Sequence, residues 1–242
     1  MNFATPLVPG TLLGREKRFL VHVRLDDGRT VVAHTNNTGS MLGCNTPGSR
    51  VWLSPADAPH RRLKWTYELV EADGVLVGIN TARANRLAEE AIRAGVVAPL
   101  AGYRHLRREV RAEAGSRVDL RLENADDGGP PCWVEVKNVT LVRDGAALFP
   151  DAPTARGRRH LAVLAARVAA GERAAMLYVV QRKDARRFAP AADIDPAYAA
   201  ALREAAGAGV QVLAYRAAVS PTAIRLETPL AVELDDPPAD GG

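Results

Sequence analysis

Asp119, Glu135 and Lys137 supply the side chains that phosphodiester hydrolysis needs: two hard oxygen acids and an amine. Asp119 lies in the run Ser116-Arg117-Val118-Asp119-Leu120, and the other two lie in Trp133-Val134-Glu135-Val136-Lys137. Both runs read as short strands. Alternate residues of a strand share a face, so Glu135 and Lys137 project together, roughly 7 Å apart along the chain, while Val134 and Val136 turn into a core. The intervening Glu123-Asn124-Ala125-Asp126-Asp127-Gly128-Gly129-Pro130-Pro131 is too rich in turn formers to continue a strand. The chain is therefore expected to reverse there and bring Asp119 beside Glu135. Two convergent carboxylates suit a hard divalent cation that keeps several waters and shares a phosphate oxygen. Lys137 would then orient the attacking water or steady a phosphate. The same pattern also describes a solvated strand face carrying a Glu–Lys pair, and the residues alone leave both readings open.

The elements that must position these side chains fall into two parts. Residues 18–25, the turn Asp27-Gly28 and residues 30–33 read as a hairpin, and residues 64–70, Asp73-Gly74 and residues 75–79 read as a second. With Arg50-Val51-Trp52-Leu53 between them, five short strands are available for a small barrel of the OB type, a platform for single-stranded nucleic acid. Phe19, Trp52, Trp65 and Tyr67 are candidate base-stacking residues, with Arg61, Arg62 and Lys64 beside Trp65, although aromatics in so small a barrel also serve as core. After Asn80-Thr81 the period changes to that of an amphipathic helix through Leu87, Ala91 and Ile92, ending near Gly95. A second helix is expected from the cap Thr154 to Gly171 and a third from Pro196 to Ala206, with buried strands at 176–181 and 210–215. This alternation is an α/β plan. The division expected is 1–80 for the barrel, 81–234 for the α/β part and a disordered tail over 235–242.

The chain has 242 residues, 47% of them hydrophobic and 25% charged, with a net charge of +4. No run approaches the roughly 20 apolar residues of a membrane span, so a cytoplasmic location without membrane contact is expected. Cys44 and Cys132 lie far apart without histidine at metal-ligand spacing, which points to neither zinc nor a disulfide framework. The mild basic charge allows a polyanionic partner without demanding one. Arg156, Arg158 and Arg159, followed by His160 near a helix start, form the best candidate phosphate clamp. Arg182, Lys183, Arg186 and Arg187 would extend that basic surface, and Glu109, set among arginines, is either a third metal acid or a surface ion-pair partner. Thr38, Gly39 and Gly43 read as turn formers, not as a phosphate loop.

Ordered blocks along nearly the whole chain resemble the sugar fermentation stimulation protein A (SfsA) family. They are Asn37-Thr38-Gly39-Ser40-Met41 with Pro47-Gly48, Asn80-Thr81 with Asn85-Arg86-Leu87 and Glu90-Ala91-Ile92, Ser116-Arg117-Val118-Asp119, Glu135-Val136-Lys137-Asn138-Val139-Thr140-Leu141, Phe149-Pro150-Asp151-Ala152, and Thr154 with Arg156-Gly157 and His160-Leu161. The resemblance implies an N-terminal OB-like β-barrel followed by a PD-(D/E)xK restriction-endonuclease-like α/β domain. It implies DNA binding, with RNA or a single strand also admitted, and a role in cutting nucleic acid with Mg²⁺ or Mn²⁺, or alternatively in regulating sugar-utilisation genes without catalysis. Carried over, Asp119, Glu135 and the helix residue Glu90 are the metal acids and Lys137 the catalytic lysine. Gln181 is a further nucleic-acid contact, and Arg117, next to Val118 and Asp119, is expected to be another. Val118 stands where the nuclease pattern has proline.

Overall fold

The structure, a computed structural model, describes residues 1–56, 60–112 and 116–235. Beyond Asp235, the expected disordered tail lies outside the described residues.

Five N-terminal strands, β1 (Val8–Glu16), β2 (Leu20–Leu25), β3 (Thr30–His34), β4 (Arg50–Pro55) and β5 (Trp65–Ala72), follow the order β3-β2-β1-β4-β5. Parallel pairing of Ala33 and His34 with Trp65 and Thr66 closes them into an OB barrel. The membership differs from the sequence expectation, because β1 is in the ring and β6 (Val75–Gly78) hangs outside it on β5. Pro9, Gly10 and Gly14 hide the period of β1 in the sequence. Gly10 is required there, since a Cβ would come within 2.7 Å of both the Arg24 carbonyl and Val23 Cγ1. Alternation buries Leu12, Val21, Val23, Val51, Leu53 and Tyr67 inside the barrel, where a fully buried large apolar side chain contributes about 1.5–3 kcal/mol.

The rest is a mixed α/β layer structure. Strands β7 (Tyr103–Arg111), β8 (Arg117–Ala125), β9 (Cys132–Val139), β12 (Arg173–Val180), β14 (Gln211–Val219) and β15 (Ile224–Pro229) form one sheet in the order β15-β14-β12-β9-β8-β7. Its three central strands, β9, β12 and β14, run parallel. A smaller sheet orders β10 (Leu141–Arg143), β11 (Ala146–Phe149), β13 (Arg187–Pro190) and β16 (Ala231–Val232). Helix α1 (Ala84–Arg93) covers one face of the large sheet with Leu87, Ala88 and Ala91, against Val134, Val136, Leu177 and Val179. Helices α2 (Ala155–Ala169) and α3 (Pro196–Gly207) cover the other, against Trp133, Met176, Tyr178 and Val180. Burial on both faces explains why β12 reads as an unbroken apolar run. Thr154 caps α2 by accepting from the Gly157 amide at 3.0 Å. A side chain at Gly157 would collide with Thr154 and Tyr198, so the cap and the α2–α3 contact select glycine together. No helix among the described residues is long and apolar enough to cross a membrane.

The barrel is joined to the sheet layer by buried polar groups. Glu68, 1% exposed, accepts from Ser54 Oγ at 2.8 Å, Asn80 Nδ2 at 2.9 Å and Arg83 Nη2 at 2.6 Å. It thereby fixes the turn into α1. Removing one partner of such a buried pair leaves the others unsatisfied. Glu68→Ala is expected to destabilise the protein by about 2–4 kcal/mol, read as a lower urea midpoint. A loss under about 0.5 kcal/mol, the size of an ordinary surface substitution, would contradict this role.

Candidate metal centre and cleft

The β8–β9 ladder pairs Leu122 with Cys132, Arg121 with Trp133 and Leu120 with Val134, and then ends. Beyond it the Asp119 side chain takes over, its Oδ2 accepting from the Val136 amide at 2.8 Å and its Oδ1 from Asn85 Nδ2 at 2.8 Å. Glu135 sits on the neighbouring strand, 2% exposed. Its Oε1 accepts from Lys137 Nζ at 2.5 Å and from His160 Nδ1 on α2. That second bond places the His160 proton on Nδ1 and leaves Nε2 to accept from Arg156 Nε at 3.3 Å.

The two carboxylates are driven apart electrostatically. Burial raises the Asp119 carboxyl above the ordinary range and the charge of Glu135 adds to the rise, outweighing the Val136 amide and Asn85. Burial also pushes Glu135 up, but the bonds from His160 and Lys137 together hold it below the ordinary range. Glu135 Oε2 is buried with no hydrogen-bond partner. An unsatisfied buried carboxylate oxygen is costly, and beside a second carboxylate it is what a cation-binding site presents. The donors are hard oxygens, which fits a divalent cation of the Mg²⁺, Mn²⁺ or Ca²⁺ kind. Among the described residues no three His, Cys, Asp or Glu side chains are grouped so as to hold a metal ion by themselves, and His160 is engaged with Glu135 Oε1 and Arg156, so waters and a phosphate oxygen would complete the coordination.

A cleft of about 390 Å³ opens beside Asn85 and Lys137, lined also by Asn138, Asp151 and Arg156. Asn37 and Thr38 reach it from the barrel. Arg15 holds their loop by donating to the Asn37 and Gly39 carbonyls, and Asp151 holds it by accepting from Ser40 Oγ at 3.0 Å and the Met41 amide at 2.9 Å.

Several expected positions fall elsewhere. Glu90 does not reach the site: on α1 it lies about 140° round the helix from Asn85, paired with the Met1 amine at 2.7 Å and Arg86 at 2.8 Å. Asn85 is the helix residue that meets Asp119. Gln181 is no surface contact, because it is fully buried, donates to Asn138 Oδ1 at 2.5 Å and packs on Gly78, whose glycine hydrogen is all the space allows. Arg158 is withdrawn from the clamp by Asp195, the cap of α3, at 3.3 Å. His160 is buried against Glu135, not exposed. Arg182 is 1% exposed, bound to Asp184 and Asp73. Tyr67 is fully buried, Trp65 packs against the barrel core and Phe19 is exposed. Glu109 faces solvent on β7 with a left-handed φ of 51°, where the rung opposite Asp119 is missing from the ladder. Arg117 and Arg159 are exposed, and Arg61 and Arg62 line a separate depression on the barrel. Asn85, Asn37 and Thr38 were visible as ordered blocks, but nothing local marked them as site residues.

A small OB barrel leading into a mixed α/β domain, with two carboxylates set beside a lysine, defines the class of this two-part protein. Residues 13–79 match the family described as SfsA N-terminal OB domain, and residues 82–223 match sugar fermentation stimulation protein RE domain. The chain belongs to the sugar fermentation stimulation protein family. It is 54% identical to the sugar fermentation stimulation protein homolog of Paramagnetospirillum magneticum, over 98% of this chain and 99% of the relative. Identity to the homolog of Maricaulis maris is 55%, over 97% and 99%. The solved structure of Pyrococcus furiosus SfsA in complex with Ca²⁺ superposes with a TM-score of 0.87 at 29% identity, covering 96% of this chain and 98% of that one.

If Asp119 and Glu135 share a cation, its binding stabilises the fold by mass action. Mn²⁺ or Ca²⁺ at about 100 times its dissociation constant is expected to raise the melting temperature by roughly 5–10 °C. Asp119→Asn and Glu135→Gln should each abolish that increment. An increment unchanged in both variants would place the cation elsewhere.

Proposed function

We propose that this protein is a divalent-cation-dependent nuclease that hydrolyses a phosphodiester of DNA or RNA where the cleft lined by Asn85, Val136 and Lys137 meets Asp119 and Glu135, with the α/β domain akin to the PD-(D/E)xK nucleases. The observation that carries the reading is the unpartnered Glu135 Oε2 beside Asp119, with an ammonium group 2.5 Å from the same carboxylate. A protein that only occupied nucleic acid would gain nothing from a buried and a half-buried carboxylate set side by side. The Ca²⁺ in the Pyrococcus furiosus relative supports a divalent cation.

Asp119 and Glu135 would hold the Mg²⁺ or Mn²⁺ ion, which when bound supplies Lewis acidity toward a phosphate oxygen and makes nearby water more acidic. Lys137 lines the cleft and directs the attacking water while its charge offsets the charge that develops on the phosphate. The water oxygen forms a bond to phosphorus as the bond to the leaving sugar oxygen breaks; the proton that the water sheds passes to solvent, and the departing alkoxide takes one up from solvent. His160 keeps Glu135 in place, and Arg156, held by His160 Nε2, offers its remaining donors to a phosphate. Asn85 and the Val136 amide do for Asp119 what His160 does for Glu135. Exposed Arg117 and Arg159, together with Arg61, Arg62, Lys64 and Trp65 on the barrel, would steady the flanking chain.

Purified protein with Mg²⁺ or Mn²⁺ should cleave labelled DNA or RNA and should not do so in EDTA. Asp119→Ala and Lys137→Ala should each lower the rate by roughly 10²-fold or more while retaining binding. Binding without cutting by the unaltered protein would favour a regulator that acts by occupancy, and loss of binding together with cutting would remove these roles from the two residues.

A further inference from the structure

The barrel carries a second concavity, of about 340 Å³, lined by His34, Asn36, Arg61, Arg62, Leu63 and Thr66. Among the described residues its lining has two arginines and no acid. Arg61 Nη1 donates to Thr66 Oγ1 at 3.1 Å, which holds its guanidinium at the wall. At its edge Phe19 is 41% exposed, and its ring centroid lies 6.3 Å from that of His34. The Leu20–His34 rung and the Thr35 amide, which donates to the Phe19 carbonyl at 3.0 Å, fix the two rings side by side. Burial and the charge of Arg61 hold the His34 imidazole below its ordinary range, so at neutral pH it is an uncharged aromatic surface. Lys17 and Arg18 are exposed on the same turn as Phe19. An exposed aromatic pair beside fixed cations, on the strand 3 and loop surface that OB barrels use for oligonucleotides, is matched by bases whose faces are free and whose backbone is charged.

The position of this surface relative to the cleft narrows the substrate. His34 and Asn36 line the barrel depression, and Asn37 and Thr38 line the cleft beside Lys137. One short backbone stretch separates the two concavities. Asn36 is tied down at the crossing, its Nδ2 donating to Asn80 Oδ1 at 2.9 Å and its carbonyl accepting from Thr81 Oγ1 at 3.2 Å. On the cleft side the barrel loop is drawn tightly against the sheet domain, with Gly39 so close to Asp151 that a Cβ would lie 3.0 Å from its carboxylate. A duplex keeps its bases stacked and paired, which denies them to Phe19 and His34. An unpaired strand has no such restriction.

We propose that Phe19, His34, Arg61 and Arg62 form a track for an unpaired nucleic-acid strand, which crosses residues 36–38 into the cleft beside Lys137, so that the substrate is single-stranded. The assignment rests on the nucleic-acid reading of that cleft and adds its strandedness and route.

The test is fluorescence anisotropy in EDTA, so that binding is read without cutting, with labelled oligodeoxythymidine, oligouridine and a blunt DNA duplex. At least one single strand is expected to bind tenfold or more tightly than the duplex, and the comparison of the two single strands identifies DNA or RNA as the source. Phe19→Ala should weaken single-strand binding by about tenfold, the effect of one lost base stack. Arg61→Ser with Arg62→Ser should reduce the slope of log affinity against log salt by about 0.7 for each phosphate contact removed. Both variants should keep the cation-dependent rise in melting temperature, which shows that they are folded. Equal or tighter duplex binding, or single-strand affinity unchanged in both variants, would overturn the track. Single-strand binding that depends on these residues, without cleavage in Mg²⁺ or Mn²⁺, would keep the track and remove the nuclease reading; duplex cleavage indifferent to them would do the reverse.

Discussion

The hydrogen bond from the Val136 amide to Asp119 Oδ2 sets the geometry on which the rest of the site depends. It stands where the β8–β9 ladder ends after Leu120 and Val134, so a carboxylate takes the place of a backbone carbonyl at the fork of two strands. A buried amide must find an acceptor, and here the acceptor is itself an acid with lone pairs to spare. Glu135, one residue before that amide, is thereby fixed beside Asp119. Its own carboxylate is held by Lys137 on the same strand and His160 on α2. Asp119 is held at both oxygens with lone pairs to spare, and Glu135 is gripped at Oε1 and left open at Oε2, which is the preorganisation a cation site needs.

The barrel is bound into the same construction. Gln181 lies fully buried behind Asn138, which lines the cleft, and fits there because residue 78 is glycine. Arg182, the next residue, donates to the Thr140 carbonyl at 3.0 Å and pairs with Asp73 of the barrel turn at 3.2 Å. Glu68 gathers the start of α1, and through it Asn85, onto the barrel wall. The Glu68–Asn80 bond, buried on both sides, has no slack, because breaking it strands a desolvated partner. Barrel and sheet therefore present the Asn37–Thr38 edge and the carboxylates as one surface.

Much of this was legible in the sequence because strand alternation is strict. The period of two placed Glu135 with Lys137 and turned Val134 and Val136 to the core, and the structure has them so. Helices α2 and α3 announced themselves by caps at Thr154 and by Pro196 at the first turn. What remained hidden depends on long-range geometry. Strand β1 was obscured by Pro9, Gly10 and Gly14, and the reason for Gly10, the close approach of β2, lies on another strand. Which polar residue of α1 meets Asp119 depends on how the helix is rolled on the sheet. Both Asn85 and Glu90 lie off the buried stripe of Leu87, Ala88 and Ala91, and only packing chooses between them. Arg158 and Gln181 look like surface residues until Asp195 and Gly78 arrive from distant parts of the chain.

The central claim is that Asp119 and Glu135 together hold a divalent cation, through the unpartnered Glu135 Oε2 and the remaining lone pairs of Asp119. Crystals soaked in Mn²⁺ and measured for anomalous scattering test it most directly. The account predicts a peak within bonding distance of Glu135 Oε2 and an Asp119 oxygen, with Lys137 and His160 still on Glu135 Oε1. A peak at another acid cluster, with Glu135 Oε2 left untouched, would contradict it.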